Sequence, residues 1–181
     1  VTILTGRGNQ ADELSDPTAL CDILEILNPS HIIIGPGPGS PSDSLLSKAI
    51  STHALAQQIE CSVLGICLGH QSIAEMANGV VVKSPNGAVH GTPIQCHHDG
   101  KGLFEGLNSP QPFTRYNSLT VSIDEDSSSL SILARDENGE IMALQHNSLP
   151  IFSVQFHPES IGSPNGKKLL ENFLGFNRML E

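Results

Sequence analysis

The chain has 181 residues, 38% of them hydrophobic, which suits one globular domain over residues 1–181 with a buried core. Its net charge of −10 argues against nucleic acid or an anionic membrane surface as a partner. Its four cysteines form no CxxC pair and no dense framework, which is typical of a reducing cytoplasm. No apolar run approaches the roughly 18 residues of a membrane span.

Short apolar runs bounded by turn residues predict buried strands along the chain. They lie at 1–4, 31–34, 63–66, 80–82, 120–123, 130–134, 141–144 and 151–156. Apolar residues at helical spacing predict core-facing helices over 45–59 and 169–180. The early alternation of strand and helix indicates an α/β fold, with a mixed, mostly parallel central sheet flanked by helices. The later, strand-rich segment is expected to add antiparallel strands.

A cysteine stands between two glycines at the end of one predicted strand, in the sequence GICLGHQ over residues 65–71. A buried structural cysteine needs no glycine on either side. A tight strand-to-helix turn does, because it lifts the side chain out of the sheet and leaves no room for a Cβ nearby. The pattern G-x-C-x-G therefore predicts that Cys67 is a nucleophile.

The candidate base lies in FSVQFHPES, over residues 152–160. His157 follows an apolar strand, and Pro158 keeps it out of the helical conformation. In an extended stretch residues i and i+2 share a face about 6.6 Å apart, so Glu159 can reach the imidazole edge that faces away from the thiol. This predicts a Cys-His-Glu triad. A second interpretation stays open from these residues alone, in which His157 and Pro158 form a turn and Glu159 is a solvated charge.

An oxyanion hole requires backbone donors aimed at one point. Leu68, directly after the cysteine, offers its N–H at the start of the following helix. The loop GPGPGSP over residues 35–41 can supply a second donor, chiefly from Gly37 or Gly39. A phosphate cradle is the rival interpretation, but three of the seven residues are prolines without an N–H, and no GK[ST] follows.

A cluster of histidines raises the question of a metal site. The candidates are His90, Cys96, His97 and His98. Adjacent side chains of a strand point to opposite faces, and no carboxylate or cysteine stands nearby at ligand spacing. The sequence therefore predicts neither a metal ion nor another cofactor.

Taken in order, these motifs resemble the triad-type (class I) glutamine amidotransferases, and most closely the small subunits of anthranilate and aminodeoxychorismate synthases. The resemblance continues through HHDGKGLFEGL, RYNSL and SLPIFSVQFHPESIGSPNGKKLLENFL. It implies a flavodoxin-like amidotransferase domain that hydrolyses the side-chain amide of L-glutamine and passes the ammonia to a chorismate-using synthase subunit. It also implies that about one strand-helix unit, on the order of 25 residues, is missing before residues 1–9.

The resemblance assigns roles to individual residues. Cys67, His157 and Glu159 would be the catalytic triad, and the N–H groups of Gly37 and Leu68 would hold the oxyanion. The glutamine-binding residues would be Gly37, Pro38, Gly39, Gln71, Ser118 and Leu119. Asn117 differs from the family, which usually has histidine at that position of RYHSL.

Two alternative functions remain beside this one. A free-standing hydrolase of γ-glutamyl compounds would use similar residues but deliver ammonia to no partner. A non-catalytic regulatory subunit would keep the fold only to bind another protein, although the complete triad argues against this.

Overall fold

The computed structural model describes Thr2 and residues 16–176. The helices are α1 (Pro17–Leu27), α2 (Leu45–Leu55), α3 (Leu68–Met76) and α4 (Gly166–Gly175), with 3-10 turns at Pro41–Asp43 and Gly102–Phe104. The strands are β1 (His31–Ile34), β2 (Ser62–Ile66), β3 (Val80–Lys83), β4 (Thr92–His98), β5 (Gln111–Arg115), β6 (Leu119–Ser122), β7 (Leu130–Asp136), β8 (Ile141–His146) and β9 (Ile151–Val154). Over these residues no helix combines the length and the apolar character that crossing a membrane requires.

Seven strands form one mixed sheet in the order β1-β2-β9-β8-β7-β4-β5, and β3 pairs with β6 in a separate two-stranded sheet. The strands β1, β2 and β9 run parallel to one another. The pairings from β9 through β8, β7 and β4 to β5 are antiparallel. The predicted α/β class with added antiparallel strands is confirmed, and antiparallel pairing takes a larger share of the described sheet than expected.

Both faces of β2 and β9 are covered, since every residue of these two parallel strands is buried, which explains why their sequences are mostly apolar. Neighbouring residues of β2 point to opposite faces, so they enter different parts of the core. Val63 packs with Leu20 of α1 and with residues of α2 and α3. Leu64 packs on the other face with Leu169 and Phe173 of α4. The two layers hold the carboxyl ends of β2 and β9 side by side.

Some predicted boundaries differ from the structure. The helix expected over 45–59 ends at Leu55, since Gln57 adopts a left-handed conformation with φ 58°. Ile59 nevertheless remains in the core. Helix α1 was not predicted; Asp16 begins it by accepting hydrogen bonds from the N–H groups of Thr18 and Ala19. The strand predicted at 1–4 and position Leu180 of the last helix lie outside the described residues.

Candidate active site

Cys67 occupies a sharp turn between β2 and α3. Its backbone has φ 53° and ψ −99°, a conformation that residues other than glycine adopt rarely and at a cost in conformational energy. Its N–H donates to the carbonyl of Val154 at 2.9 Å, which ties the turn to the end of β9. The predicted strand-turn-helix geometry around this cysteine is therefore present.

The glycines on either side of Cys67 are required by close backbone contacts. A Cβ on Gly65 would lie 2.5 Å from the carbonyl carbon and oxygen of Gly69, the second residue of α3. A Cβ on Gly69 would in turn collide with the carbonyl oxygen of Ile34 at the end of β1. Glycine at both positions lets α3 start directly over the ends of β1 and β2.

His157 lies just past β9, where its backbone is held on both sides. Its N–H donates to the carbonyl of Thr114 at 2.8 Å, and its carbonyl accepts from the Ser163 hydroxyl at 2.6 Å. The same hydroxyl accepts from the N–H of Thr114 at 3.0 Å. This arrangement keeps His157 extended and fixes it to β5. The chain then turns at Pro158 and Glu159, where the N–H of Ser160 donates to the His157 carbonyl at 3.2 Å, so the predicted extended stretch ends at His157.

Glu159 contacts the imidazole of His157, as the spacing of the two residues predicts. The distance from His157 Nδ1 to Glu159 Oε1 is 2.6 Å. The imidazole side chain is 11% exposed and the carboxylate side chain 46% exposed. A carboxylate at Nδ1 leaves Nε2 as the ring atom that faces the interior.

The electrostatics of His157 depend on both flanking groups. Burial by itself lowers the pKa of the imidazole, but the thiol of Cys67 and the carboxylate of Glu159 outweigh burial and raise that pKa to about 9. The ring lowers the pKa of Glu159 in return, against the opposing effect of burial. His157 Nε2 is buried and has no hydrogen-bond partner among the described residues.

The two predicted oxyanion donors come from neighbouring parts of the structure. A Cβ on Gly37 would lie 2.8 Å from Cδ2 of Leu68, so the loop after β1 rests on the first residue of α3. Leu68 is at the N-terminus of that helix, where backbone N–H groups lack helical partners. Asp43 holds the other end of the loop by accepting from the N–H and hydroxyl of Ser40, each at 2.8 Å.

The predicted glutamine-binding residues lie on three different segments. Pro38 and Gly39 are exposed in the loop after β1, and Gly39 has φ 86°. Gln71, in the second turn of α3, is only 3% exposed. Ser118 and Leu119 follow the end of β5, and the carbonyl of Ser118 accepts from the N–H of Ser84.

A buried ion cluster next to Ser118 and Leu119 was not predicted. Arg115 is 2% exposed and binds Asp136 and Glu140, each at 2.8 Å. Burial raises the pKa of Glu140, but hydrogen bonds from Ser84, Asn86 and Arg115 more than offset this and lower it. The cluster joins the end of β5 to the hairpin between β7 and β8.

Asn117 belongs to this cluster. Its Oδ1 accepts from Arg115 Nε at 3.0 Å, and its Nδ2 donates to the carbonyl of Leu119 at 2.5 Å. Its own carbonyl accepts from the N–H of Val89 at 3.0 Å. The residue that departs from the usual histidine therefore faces inward and shapes the backbone of the turn.

Side chains of the histidine-rich strand β4 make contacts of other kinds. His98 stacks on Phe104 with ring centroids 4.3 Å apart, and its Nε2 lies 3.0 Å from the carbonyl oxygen of Asn108. Cys96 is fully buried in the core. In the part of the chain that the structure describes, no three histidine, cysteine or acidic side chains are placed to hold a metal ion together.

Comparison with known proteins identifies the family to which the chain belongs. The family model for class-I glutamine amidotransferases matches residues 12–175. The chain belongs to the class-I glutamine amidotransferases. This amidotransferase is 43% identical to the aminodeoxychorismate/anthranilate synthase component 2 of Bacillus subtilis, over 84% of this chain and 77% of the relative. It is 41% identical to the aminodeoxychorismate synthase component 2 of Klebsiella aerogenes, over 88% of this chain and 83% of the relative.

Solved structures agree on the architecture of the amidotransferase. The crystal structure of a glutamine amidotransferase from Thermotoga maritima matches it with a TM-score of 0.61 at 17% identity. The match covers 86% of this chain and 76% of the other. At this level of identity the likeness concerns the fold alone.

Proposed function

We propose that this amidotransferase hydrolyses L-glutamine with Cys67, His157 and Glu159 and delivers the ammonia to a chorismate-using synthase. One observation carries the proposal: Cys67 lies in a strained turn and faces His157, whose Nδ1 is 2.6 Å from Oε1 of Glu159. A strained backbone and a base with an orienting acid are the features expected of an activated nucleophile.

The first step forms a thioester. The proton of the Cys67 thiol is held by His157, so Sγ attacks the side-chain amide carbon of glutamine as a thiolate, and the carbon–nitrogen bond of the resulting tetrahedral intermediate breaks. A pKa of about 9 means that His157 carries a proton at neutral pH, and it gives this proton to the departing ammonia. The N–H groups of Gly37 and Leu68 bind the negative oxygen while it exists.

The second step releases glutamate. His157, now neutral, accepts a proton from water, and the hydroxide attacks the thioester carbon. The carbon–sulfur bond breaks, which returns Cys67 and His157 to their starting state. Glu159 keeps its bond to Nδ1 throughout and so holds Nε2 toward the reacting atoms.

The amino-acid end of glutamine needs its own binding groups, because they distinguish glutamine from other primary amides. We assign this role to Pro38 and Gly39 in the loop after β1, to Gln71 on α3, and to the backbone of Ser118 and Leu119. In support of this assignment, the loop rests on α3 through Gly37, and α3 carries both Cys67 at its N-cap and Gln71.

Ammonia transfer gives a reason for a partner subunit. Free ammonia is protonated in neutral water and then is no longer a nucleophile, so its use requires a protected path to an acceptor. The relatives from Bacillus subtilis and Klebsiella aerogenes are named as component 2 of synthases that make anthranilate or aminodeoxychorismate. We therefore assign this amidotransferase a component I partner that binds chorismate.

The test combines the purified protein with chorismate-using synthase subunits of both kinds, the anthranilate-forming and the aminodeoxychorismate-forming. We expect glutamine to support amination of chorismate only when both proteins are present, and ammonium salts to support it with the synthase alone. Strong glutaminase activity in isolation, unchanged by either synthase, would indicate a free-standing hydrolase. No hydrolysis of glutamine with either synthase would indicate a regulatory subunit.

A further inference from the structure

The extended segment formed by β9 and the residues after it presents alternate side chains to α3. Ser153 Oγ lies 2.8 Å from His70 Nδ1, and Gln155 Oε1 accepts from Gln71 Nε2 at 3.1 Å. His157, two residues further, faces the proposed nucleophile at the start of the helix. Alternate residues of an extended chain share a face, so these contacts form one polar seam between strand and helix.

Gln155 in this seam is too deep to touch a substrate. It is 0% exposed, and its Nε2 has no hydrogen-bond partner among the described residues. A buried amide nitrogen without a partner lowers stability, because no hydrogen bond offsets the loss of its hydration. An isosteric methionine would fill the same space without that cost, so packing alone does not explain a glutamine here.

The contact with Gln71 supplies an explanation. An amide side chain can turn about its last bond and exchange its oxygen with its nitrogen at almost no change in shape. In the structure Gln71 Nε2 donates to Gln155 Oε1, and Gln71 Oε1 accepts no hydrogen bond from a described residue. Turning the Gln71 amide by itself would place its oxygen against the buried oxygen of Gln155, which two acceptors do not tolerate, so the two amides can turn only together.

We propose that Gln155 is a positioning residue that holds the Gln71 amide with its oxygen toward the substrate, ready to accept from the α-ammonium group of glutamine. This inference rests on the proposed function, in which Gln71 contacts the amino-acid end of glutamine. A pre-oriented acceptor binds the ammonium without first losing rotational freedom. The seam therefore contributes to substrate selection as well as to the packing of α3.

The test is steady-state kinetics of Gln155→Met, assayed with the synthase present. We expect KM for glutamine to rise about five- to twentyfold while kcat changes less than about threefold, since the lost contact is made equally in ground and transition states. The unmodified enzyme should also prefer glutamine over the analogue that lacks the α-amino group. Gln155→Met should lose most of this preference.

Ser153→Ala is the matched control, because it removes a buried hydrogen bond from the same seam. We expect its melting temperature to fall while KM and the preference for the α-amino group stay as they are. If Gln155→Met does not fold, Gln155→Leu removes the same acceptor with a smaller side chain and should show the same two losses.

Several results would overturn the inference. One is an unchanged KM in folded Gln155→Met or Gln155→Leu, and another is an equal rise in KM in Ser153→Ala. If the unmodified protein does not hydrolyse glutamine with a synthase, the proposed function itself fails, and this inference fails with it.

Discussion

His157 and Glu159 are joined by a 2.6 Å contact between Nδ1 and Oε1, made by two residues that are separated along the chain only by Pro158. A glutamine in place of the carboxylate can still accept from Nδ1 through its oxygen, whereas no side chain replaces the imidazole itself. We expect Glu159→Gln to lose about ten- to a hundredfold in glutaminase kcat and His157→Ala about a thousandfold or more. Equal losses would contradict a purely orienting role for Glu159, and an unaltered Glu159→Gln would make it a surface charge.

The raised pKa of His157 predicts how stability depends on pH. The pKa of the folded state, about 9, lies above the ordinary value of 6.5. The interactions of the charged ring therefore stabilise the fold fully below pH 6.5, and that contribution is lost as the pH rises from 6.5 through 9. We expect the free energy of unfolding to fall more over this interval in the unmodified protein than in His157→Gln.

The titration itself can be followed by NMR of the His157 ring. Because the carboxylate of Glu159 helps to raise the pKa of His157, Glu159→Gln should lower it. Glu125→Gln is the matched control, since Glu125 is an exposed carboxylate that pairs with Arg135 instead. A His157 pKa that is the same in all three proteins would show that Glu159 does not act on the ring.

The approach of Gly65 to Gly69 predicts that the turn around Cys67 tolerates no larger residue. In Gly65→Ala the new Cβ would meet backbone atoms at 2.5 Å, and backbone cannot move aside as a flexible side chain can. We expect a loss of about 3 kcal/mol in the free energy of unfolding, or failure to fold. Gly175→Ala is the control, because nothing lies within 4 Å of its Cβ position. Equal stability of the two variants in chemical denaturation would refute the steric account.

Much of this site could be predicted because its determinants are local. The glycines at 65 and 69 stand close to Cys67 in the sequence, and only Pro158 separates His157 from Glu159, although Glu159 lies in a turn and not in the extended stretch that the sequence predicted. Each constraint acts over a few residues, so the sequence displays it directly. The same holds for the apolar runs that became β1, β2 and β9.

The buried Arg115 cluster predicts a large difference between two arginines. Arg115→Met would leave Asp136 and Glu140 buried at 3% and 4% side-chain exposure without their cation. We expect this variant to lose about 3–5 kcal/mol of unfolding free energy. Arg135→Met breaks an ion pair with Glu125 whose side chains are 39% and 65% exposed, and should lose less than about 1 kcal/mol. Similar losses in urea denaturation would contradict the buried cluster.

This cluster could not be predicted from the sequence, for a physical reason. An arginine followed by tyrosine and asparagine is typical of a surface loop, and nothing next to Arg115 indicates burial. Its carboxylate partners lie 21 and 25 residues away, on a hairpin that only the sheet order brings alongside. Gln155 was missed for a similar reason, since its partner Gln71 is 84 residues distant.

The identity of the nucleophile is tested most directly by trapping the intermediate. The amidotransferase and its synthase are mixed with glutamine, quenched in acid within the first turnover, digested, and analysed by peptide mass spectrometry. We predict a γ-glutamyl group on the peptide that contains Cys67, and none in Cys67→Ser. Cys61→Ser, which replaces a thiol whose pKa burial raises to about 11, should label at Cys67 as before. A γ-glutamyl group on Cys21, Cys61 or Cys96 instead, or full glutamine turnover by Cys67→Ser, would contradict the account.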